Sequence, residues 1–292
     1  MLSRRSLLGF LGAGFLSSVG LCSYAFAVEP RFRLVVTHYR MQPPRWPKLD
    51  RPLRIAVIAD IHACEPWMPV ARIAEIVETS NALAPDLTVL LGDYVAGLSR
   101  FRTGIVPMRD WGPVLGRLSA PLGTYAVLGN HDWWTDADAV RRTLIDNGIS
   151  VLENDARLIR SGRGFSFWLA GLGDQLAIPK GRGRFEGVHD LPGTLAQIRD
   201  DASPAILLAH EPDIFPQVPA RVSLTLCGHT HGGQINLPFI GRPLVPSRFG
   251  QRYAYGRVIE NGRHLVVSAG LGCSILPARF GVPPEIVMLE LG

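Results

Sequence analysis

Cysteine is scarce in this chain. Four occur in 292 residues, and Cys22 falls in a leader-like segment, which leaves Cys64, Cys227 and Cys273. An odd number without C-x-x-C spacing implies no disulfide framework, and the three are expected to be buried structural thiols. Charge of one sign is equally short. The formal net charge is +5, and two of the contributing arginines, Arg4 and Arg5, belong to that leader. So small an excess gives no reason to expect a nucleic-acid partner. Internal repeats and a second domain boundary are missing too. With 47% apolar and 19% charged residues, the chain can bury one large core or two modest ones.

Residues 1–27 read as targeting information rather than fold. Ser3-Arg4-Arg5-Ser6-Leu7-Leu8 precedes an uncharged stretch to Val28, with Ala25-Phe26-Ala27 as an A-x-A cleavage site. Paired arginines before an apolar run resemble a twin-arginine signal, and an exported protein, periplasmic or at the outer face of the membrane, is expected. The other reading is an uncleaved membrane anchor, because Ser6 to Val28 is about long enough to cross a bilayer core at roughly 20 residues. Leu21 makes Cys22 a poor lipoprotein site. Residues 28–52 carry Pro30, Pro43, Pro44 and Pro47 around a short apolar run from Phe32 to Val36, a connector with one edge strand.

The main domain is expected over residues 53–292. Leu53 to Ala59 is a β-rich run ending at Asp60, and Val70 to Leu83 follows with helical spacing of its apolar residues. The unit repeats. Leu87 to Leu91 ends at Gly92-Asp93, Tyr125 to Leu128 ends at Gly129-Asn130, and Ala137 to Asn147 is helical with Gly148 as its stop. The second half reads as strands at 165–170, 205–209, 223–227, 234–237, 253–259, 265–269 and 286–291. Arg157 to Arg163 and Lys180 to Gly187 read as surface turns. Alternating β/α units beside a strand-rich half predict a central two-sheet β-sandwich with helices on its outer faces.

The chemically distinctive residues follow strands: Asp60-x-His62, Gly92-Asp93, Gly129-Asn130-His131-Asp132, His210 and Gly228-His229-Thr230-His231. Five of the eight histidines fall in these motifs, leaving only His38, His189 and His264 outside, a concentration that points to metal ligation. Carboxylate and imidazole together suit Mn, Fe or Zn, whereas carboxylates alone would suit Mg or Ca. A rigid sheet can aim short side chains from several strand ends at one point, as two ions about 3.5–4 Å apart require. Gly92, Gly129 and Gly228 allow the sharp turns and close approach.

These motifs, complete and in order from Asp60 to His231, resemble the signature of the calcineurin-like metallophosphoesterase superfamily. Gly228 to Gln234, the ending Ser268-Ala269-Gly270-Leu271-Gly272 and Pro283-Pro284-Glu285 look like its bacterial exported phosphodiesterase branch. The resemblance implies a four-layer α/β/β/α sandwich. It assigns Asp60, His62 and His231 to one divalent ion, Asn130, His210 and His229 to the other, and Asp93 to both. It leaves His131 free to act at the phosphoryl group, with Asp132 orienting or charging it. It further implies attack of a metal-activated water on phosphorus in a phosphoester, with diesters favoured. A second reading is a pyrophosphatase acting on a UDP-linked acylated sugar. A binding module without turnover would have lost ligands, and none is lost.

Around this centre, Trp67, Trp133 and Trp134 are open to two readings, pocket wall or core. The segment Leu237 to Arg257 carries Arg242, Arg248, Arg252 and Arg257 among aromatics, which suits either a lipid headgroup or arginines paired elsewhere; the second is preferred. His189 and His264 are read as surface residues. Association with a membrane through the N-terminus, a phosphoester substrate open to lipid linkage, and a monomer complete the expectations. Substrate identity is not legible, because specificity resides in loops.

Overall fold

The computed structural model describes residues 18–95, 98, 101, 103–199 and 201–292. Arg4, Arg5 and most of the leader lie outside the described residues. In chain order the strands are β1 (Val35–Met41), β2 (Leu53–Ile58), β3 (Cys64–Glu65), β4 (Leu87–Leu90), β5 (Gly104–Ile105), β6 (Thr124–Ala126), β7 (Ser150–Val151) and β8 (Asp155–Arg160). They continue as β9 (Ser166–Gly171), β10 (Ile178–Gly181), β11 (Arg184–Glu186), β12 (Ala205–Leu208), β13 (Leu224–Cys227), β14 (Gly256–Glu260), β15 (Arg263–Val267) and β16 (Glu285–Leu291).

Two six-stranded sheets form, in the orders β1-β16-β2-β4-β6-β7 and β14-β15-β13-β12-β9-β8. The β2, β4, β6 and β7 neighbours are parallel, as are β9, β12, β13 and β15. Parallel neighbours bring the C-terminal ends of their strands to one edge, which is how five separated motifs reach one place.

Alternation along each strand divides the apolar residues between layers. Ile55 and Val57 of β2 meet Ile206 and Leu208 of β12 between the sheets, with Phe167, Leu226 and Leu289. Ile58, Leu90 and Ala126 face outward instead, against Ile73, Ile76, Trp111 and Leu144 of the helices Val70–Ala82, Met108–Leu115 and Asn130–Asp146. On the far side Ala205 and Leu207 pack with Leu191, Ile214 and Phe215 of the helix Leu191–Ala196 and the 3-10 turn Pro212–Gln217. Four layers result, as expected. Each fully buried large apolar side chain contributes about 1.5–3 kcal/mol.

Several local readings change. Phe32 ends a short helix, Glu29–Phe32, with Pro30 in its first turn, so the edge strand starts at Val35 and pairs with β16. Residues 157–163 and 180–187 are not all turn. The first contributes β8 at a sheet edge, and the second forms the β10–β11 hairpin around Arg182 and Gly183; exposed charged residues are what edge strands tolerate. Residues 234–237 make only isolated bridges, Ile235 with Phe280 and Leu237 with Gly241, because Gln234 turns left-handed at φ 57°. The 253–259 strand begins only at Gly256, after a 3-10 turn over Gly250–Tyr253. The helix read as 137–147 starts at Asn130 and kinks at Asp136, whose carboxylate accepts from Ala139 N–H. His264 is buried in β15 rather than on the surface.

Candidate metal centre

Asp60 and His62 follow β2, Asp93 follows β4, Asn130 follows β6, His210 follows β12, and His229 and His231 follow β13. All seven side chains are buried. Five of the seven, Asp60, His62, Asp93, His229 and His231, have φ between 48° and 67°. Left-handed backbone is uncommon outside glycine and costs about 1–3 kcal/mol per residue, so it persists only where the surroundings over-determine it. Here the backbone is held by Asp60 N–H donating to Gly92 O (3.0 Å), His62 N–H to Asp93 O (3.0 Å) and His229 N–H to the Asp60 carboxylate (3.0 Å). Glycine is required at 129, where a Cβ would lie 2.3 Å from Asp93 Oδ1 and 2.7 Å from its backbone nitrogen.

The donor atoms converge. Asp93 Oδ2 lies 3.4 Å from His62 Nε2 and 3.3 Å from His210 Nε2. On one side His62 Nε2 and His231 Nε2 are 3.1 Å apart, with Asp60 Oδ1 3.7 Å from the latter. Asn130 Oδ1 sits on the other side, 2.9 Å from His229 Nδ1 and 3.2 Å from His210 Nε2. Asp60, His62 and His231 form one group whose ligand atoms all lie within 4.8 Å of one another, and Asp93, His210 and His229 form a second.

The outer ring nitrogens establish what these groups fit. His62 Nδ1 donates to Val95 O (3.0 Å) and His210 Nδ1 to Leu91 O (2.6 Å). A carbonyl can only accept, so each Nδ1 proton faces outward. This leaves the His62 Nε2 lone pair inward, the arrangement a metal-binding histidine needs. At His210 the Asp93 carboxylate overcomes burial and raises the ring well above the ordinary imidazole range, so that its Nε2 holds a proton an ion would displace. The inward nitrogens of His62 and His231, 3.1 Å apart, cannot both be protonated. Arg279 Nη2, which can only donate, faces His231 Nδ1, so the single proton between the rings belongs to His231 Nε2, and a cation bound there would take that proton's place. Electrostatics agrees. Burial pushes the His62 imidazole down to about 3, keeping it neutral. Burial, reinforced by the charge of Asp93, raises Asp60 to about 7, although His210 opposes this. Burial would also raise Asp93, but His210, His131 and His62 together hold it well below the usual carboxylate range. The set therefore fits two cations sharing Asp93.

His131 points into a cleft beside these groups and reaches Ser274 Oγ through Nε2 at 3.2 Å. Its backbone N–H donates to Asp93 Oδ1 (2.8 Å). The ring packs edge-on against His62 and tilts against Trp134, both at 4.9 Å between centroids. Asp132 does something other than charge it. Its carboxylate accepts from Asp93, Tyr94 and Gly129 N–H at 2.9 Å and from Val95 N–H at 3.3 Å, sewing the β4 and β6 loops together. Consecutive residues on a helix do not face each other, so a side chain aimed at those loops is aimed away from the His131 ring.

Three site residues escaped sequence reasoning. Asp174 and Glu211 are buried next to His210, and ligand atoms of the three lie within 4.8 Å of one another. Asp174 Oδ2 and Glu211 Oε1 have no hydrogen-bond partner among the described residues. Burial and then the charge of Glu211 push Asp174 well above the normal range, while His210 and His229 overcome burial to pull Glu211 down. The signal was present, since Asp174 follows β9 as the candidate ligands follow their strands. Arg279, fully buried, donates to Gly272, Ala269 and Val282 carbonyls, and its Nη2 lies 3.3 Å from His231 Nδ1.

Of the three tryptophans, only Trp134 lines the cleft, its indole N–H donating to Leu176 O at 2.9 Å. Trp133 packs on the helix side of the core and Trp67 against Cys64, Leu98 and Cys273. Cys64, Cys227 and Cys273 are buried free thiols, and burial raises Cys64 to about 11. Three of the four loop arginines have partners: Arg248 with Asp213, Arg252 with Glu260, and Arg242 with Gly232 O while lying over the Tyr255 ring; Arg257 is exposed on β14. His189, partly buried, also lines the cleft.

Comparison with known proteins gives the same site a context. The profile described as calcineurin-like phosphoesterase matches residues 53–233, well over half of the chain. The chain is 31% identical to the metallophosphoesterase YkuE of Bacillus subtilis, over 99% of its own length and 98% of that protein. It is 30% identical to the phosphodiesterase YaeI of Escherichia coli, over the full length of both. Among solved structures, a 5'-nucleotidase precursor from Thermus thermophilus aligns with 75% of this chain and 49% of its own, at 15% identity and a TM-score of 0.46.

Proposed function

This chain belongs to the calcineurin-like phosphoesterase family, and from that premise we propose that it is a dinuclear phosphodiesterase working outside the cytoplasm. Asp60, His62 and His231 would hold one divalent ion, Asn130, His210 and His229 the other, and Asp93 would serve both. The carrying observation is Asp93 Oδ2, placed 3.3–3.4 Å from one imidazole of each group. When bound, Mn, Fe or Zn would supply an activated water and neutralise phosphate oxygens.

The protein's own contribution is geometric and protic. Ligands on strand ends fix the phosphate against the sheet edge, and burial excludes bulk water from the donor atoms. His131 faces the cleft from the start of a helix, where an Nε2 proton can be passed to the departing oxygen and the helix terminus favours the phosphate's charge. Asp132 keeps the two loops in register beneath it and takes no part in proton transfer. Preference for diesters draws support from the YaeI likeness, and export from the leader sequence.

Asp93→Asn tests the reading. A neutral amide at the shared position should reduce bound metal below one ion per chain and lower turnover of an aryl phosphodiester on the order of 10³-fold, because several kcal/mol of charge stabilisation depends on both ions. Metal analysis and initial rates on the same sample decide it; two bound ions with full activity would remove the bridging assignment.

A further inference from the structure

The cleft at His131 is far larger than a phosphate requires, at about 1000 Å³, the upper end for sites that enclose whole organic ligands. Its polar end is Asp93, Asn130 and His229. Away from them most of the wall is apolar, with Trp134, Leu176, Phe185, Ile235, Leu244 and Ile275, interrupted by Gln175, Asp213, Gln217 and Arg248. Several of these remain open to solvent, Leu244 by 71% and Ile275 by 69%. The turn that continues from Ile235, closed by the Leu237–Gly241 bridge, ends in Phe239 and Ile240, exposed by 109% and 65%. Scattered single apolar residues on a surface are ordinary, but a group gathered along one cleft and its adjoining turn marks an interaction surface.

A second observation concerns what sits behind that rim. The last turns of the uncharged N-terminal segment are fastened to the 273–282 loop: Ala25 O accepts from Arg279 N–H (2.9 Å), and the Glu29 carboxylate accepts from Gly281 (3.0 Å) and Val282 (2.7 Å) N–H. Tyr24 packs edge-on against Phe280, and Phe26 O accepts from the Trp67 indole. The front of the same loop carries Ile275 and Leu276 into the cleft. Val19, Leu21, Phe26 and Val28 of the segment are themselves exposed. Apolar segment and apolar rim are therefore two sides of one loop.

We propose that the cleft takes an amphiphilic phosphoester from a lipid bilayer, with the phosphate at the His131 end and an alkyl chain along the Trp134, Leu244 and Ile275 wall. This rests on the phosphoesterase reading above and adds the substrate class. Attraction to anionic headgroups is not its main drive, because Arg248 and Arg252 are paired with the carboxylates of Asp213 and Glu260. Apolar contact is, and it makes binding insensitive to salt.

The test uses the full chain loaded with Mn and a series of p-nitrophenyl alkyl phosphates, methyl to octyl, each below its micelle concentration. Every methylene fully buried is worth up to about fourfold in binding, from ~0.8 kcal/mol, so kcat/KM should rise at least tenfold from methyl to octyl, through KM. Leu244→Asp with Ile275→Asp, both exposed positions that tolerate a polar side chain, should bring the octyl-to-methyl ratio close to one; Trp134→Ala should lower it less. With a dodecyl ester in neutral phosphatidylcholine vesicles, Phe239→Ser with Ile240→Ser should lower the ratio of vesicle rate to dissolved butyl-ester rate several-fold. Methyl-ester turnover with a flat chain-length profile, or a ratio unchanged in the Leu244 and Ile275 double variant, overturns the substrate class alone. An unchanged vesicle ratio overturns the bilayer source. Absence of turnover on every ester overturns the phosphoesterase reading and this inference with it.

Discussion

The two ends of the cleft are built by opposite rules. At the metal end every candidate ligand follows a strand and is buried, and the backbones of Asp60, His62, Asp93, His210 and His229 are hydrogen-bonded to neighbouring loops. At the rim the lining residues come from irregular segments around 234–250 and 273–282, and several stand in solvent. Chemistry that needs atoms fixed to a few tenths of an ångström is placed where the core enforces position, and recognition is placed where the chain can vary. The contrast teaches that changes at one end should register as lost turnover and changes at the other as altered choice of substrate, with stability untouched.

Substitutions can press on that division. His131→Ala should lower kcat on an alkyl phosphodiester by about 10²–10⁴-fold and much less on an ester with a p-nitrophenolate leaving group, since only the poor leaving group needs a proton. Equal losses on both esters would assign His131 a role other than acid. Next in size is a pH effect on metal loading. Asp60, raised to about 7 by burial and by Asp93, holds a proton below that pH in the metal-free protein, and an ion must displace it. The Asp60 contribution to affinity is therefore complete above pH 7 and falls about tenfold per unit as the pH drops below it, while His210, raised well above the ordinary imidazole range by Asp93, must give up a proton at either pH. His62, held at about 3, is already neutral and adds no such dependence between pH 5 and 8. Calorimetric titration with Mn in two buffers at pH 6 and pH 8 should show about one more proton released at pH 6, a difference that Asp60→Asn removes.

Smaller again is Ser274→Ala. Losing one hydrogen bond to His131 Nε2 should reduce kcat about threefold to tenfold, and the loss should vanish in a His131→Ala background; persistence there would mean that Ser274 acts elsewhere. Least of all, Phe239→Ser should shift unfolding free energy by no more than about 0.5 kcal/mol, whereas Leu208→Ala, between the sheets, should cost about 2–5 kcal/mol. Chemical denaturation of both variants compares rim with core directly.

Much of the centre was legible because its residues obey a positional rule, metal-binding types placed directly after β-rich runs. The same rule covers Asp174, which follows β9 in Gly171-Leu172-Gly173-Asp174 and repeats the Gly-Asp pair of Gly92-Asp93; a Gly-Asp pair without a neighbouring histidine carries little signal by itself. Arg279 was not legible at all: its partners are carbonyls of Ala269, Gly272 and Val282, and a carbonyl leaves no mark in a sequence. Asp132 was misread for a related reason, since adjacency in the chain suggested a pair that the helix geometry forbids. Among the sheets, the Gly- and Arg-rich stretches hid β8 and the β10–β11 hairpin, because edge strands carry the polar residues that also mark turns.

The reversed handedness of the backbone at Asp60, His62, Asp93, His229 and His231 has a consequence for anyone who would transplant this centre. Copying the seven side chains onto a scaffold with ordinary turns would point most of them away from their shared focus, whatever the spacing between positions. The transferable unit is a set of crossed loops that force each residue to twist, and the amino acids are only its visible tips.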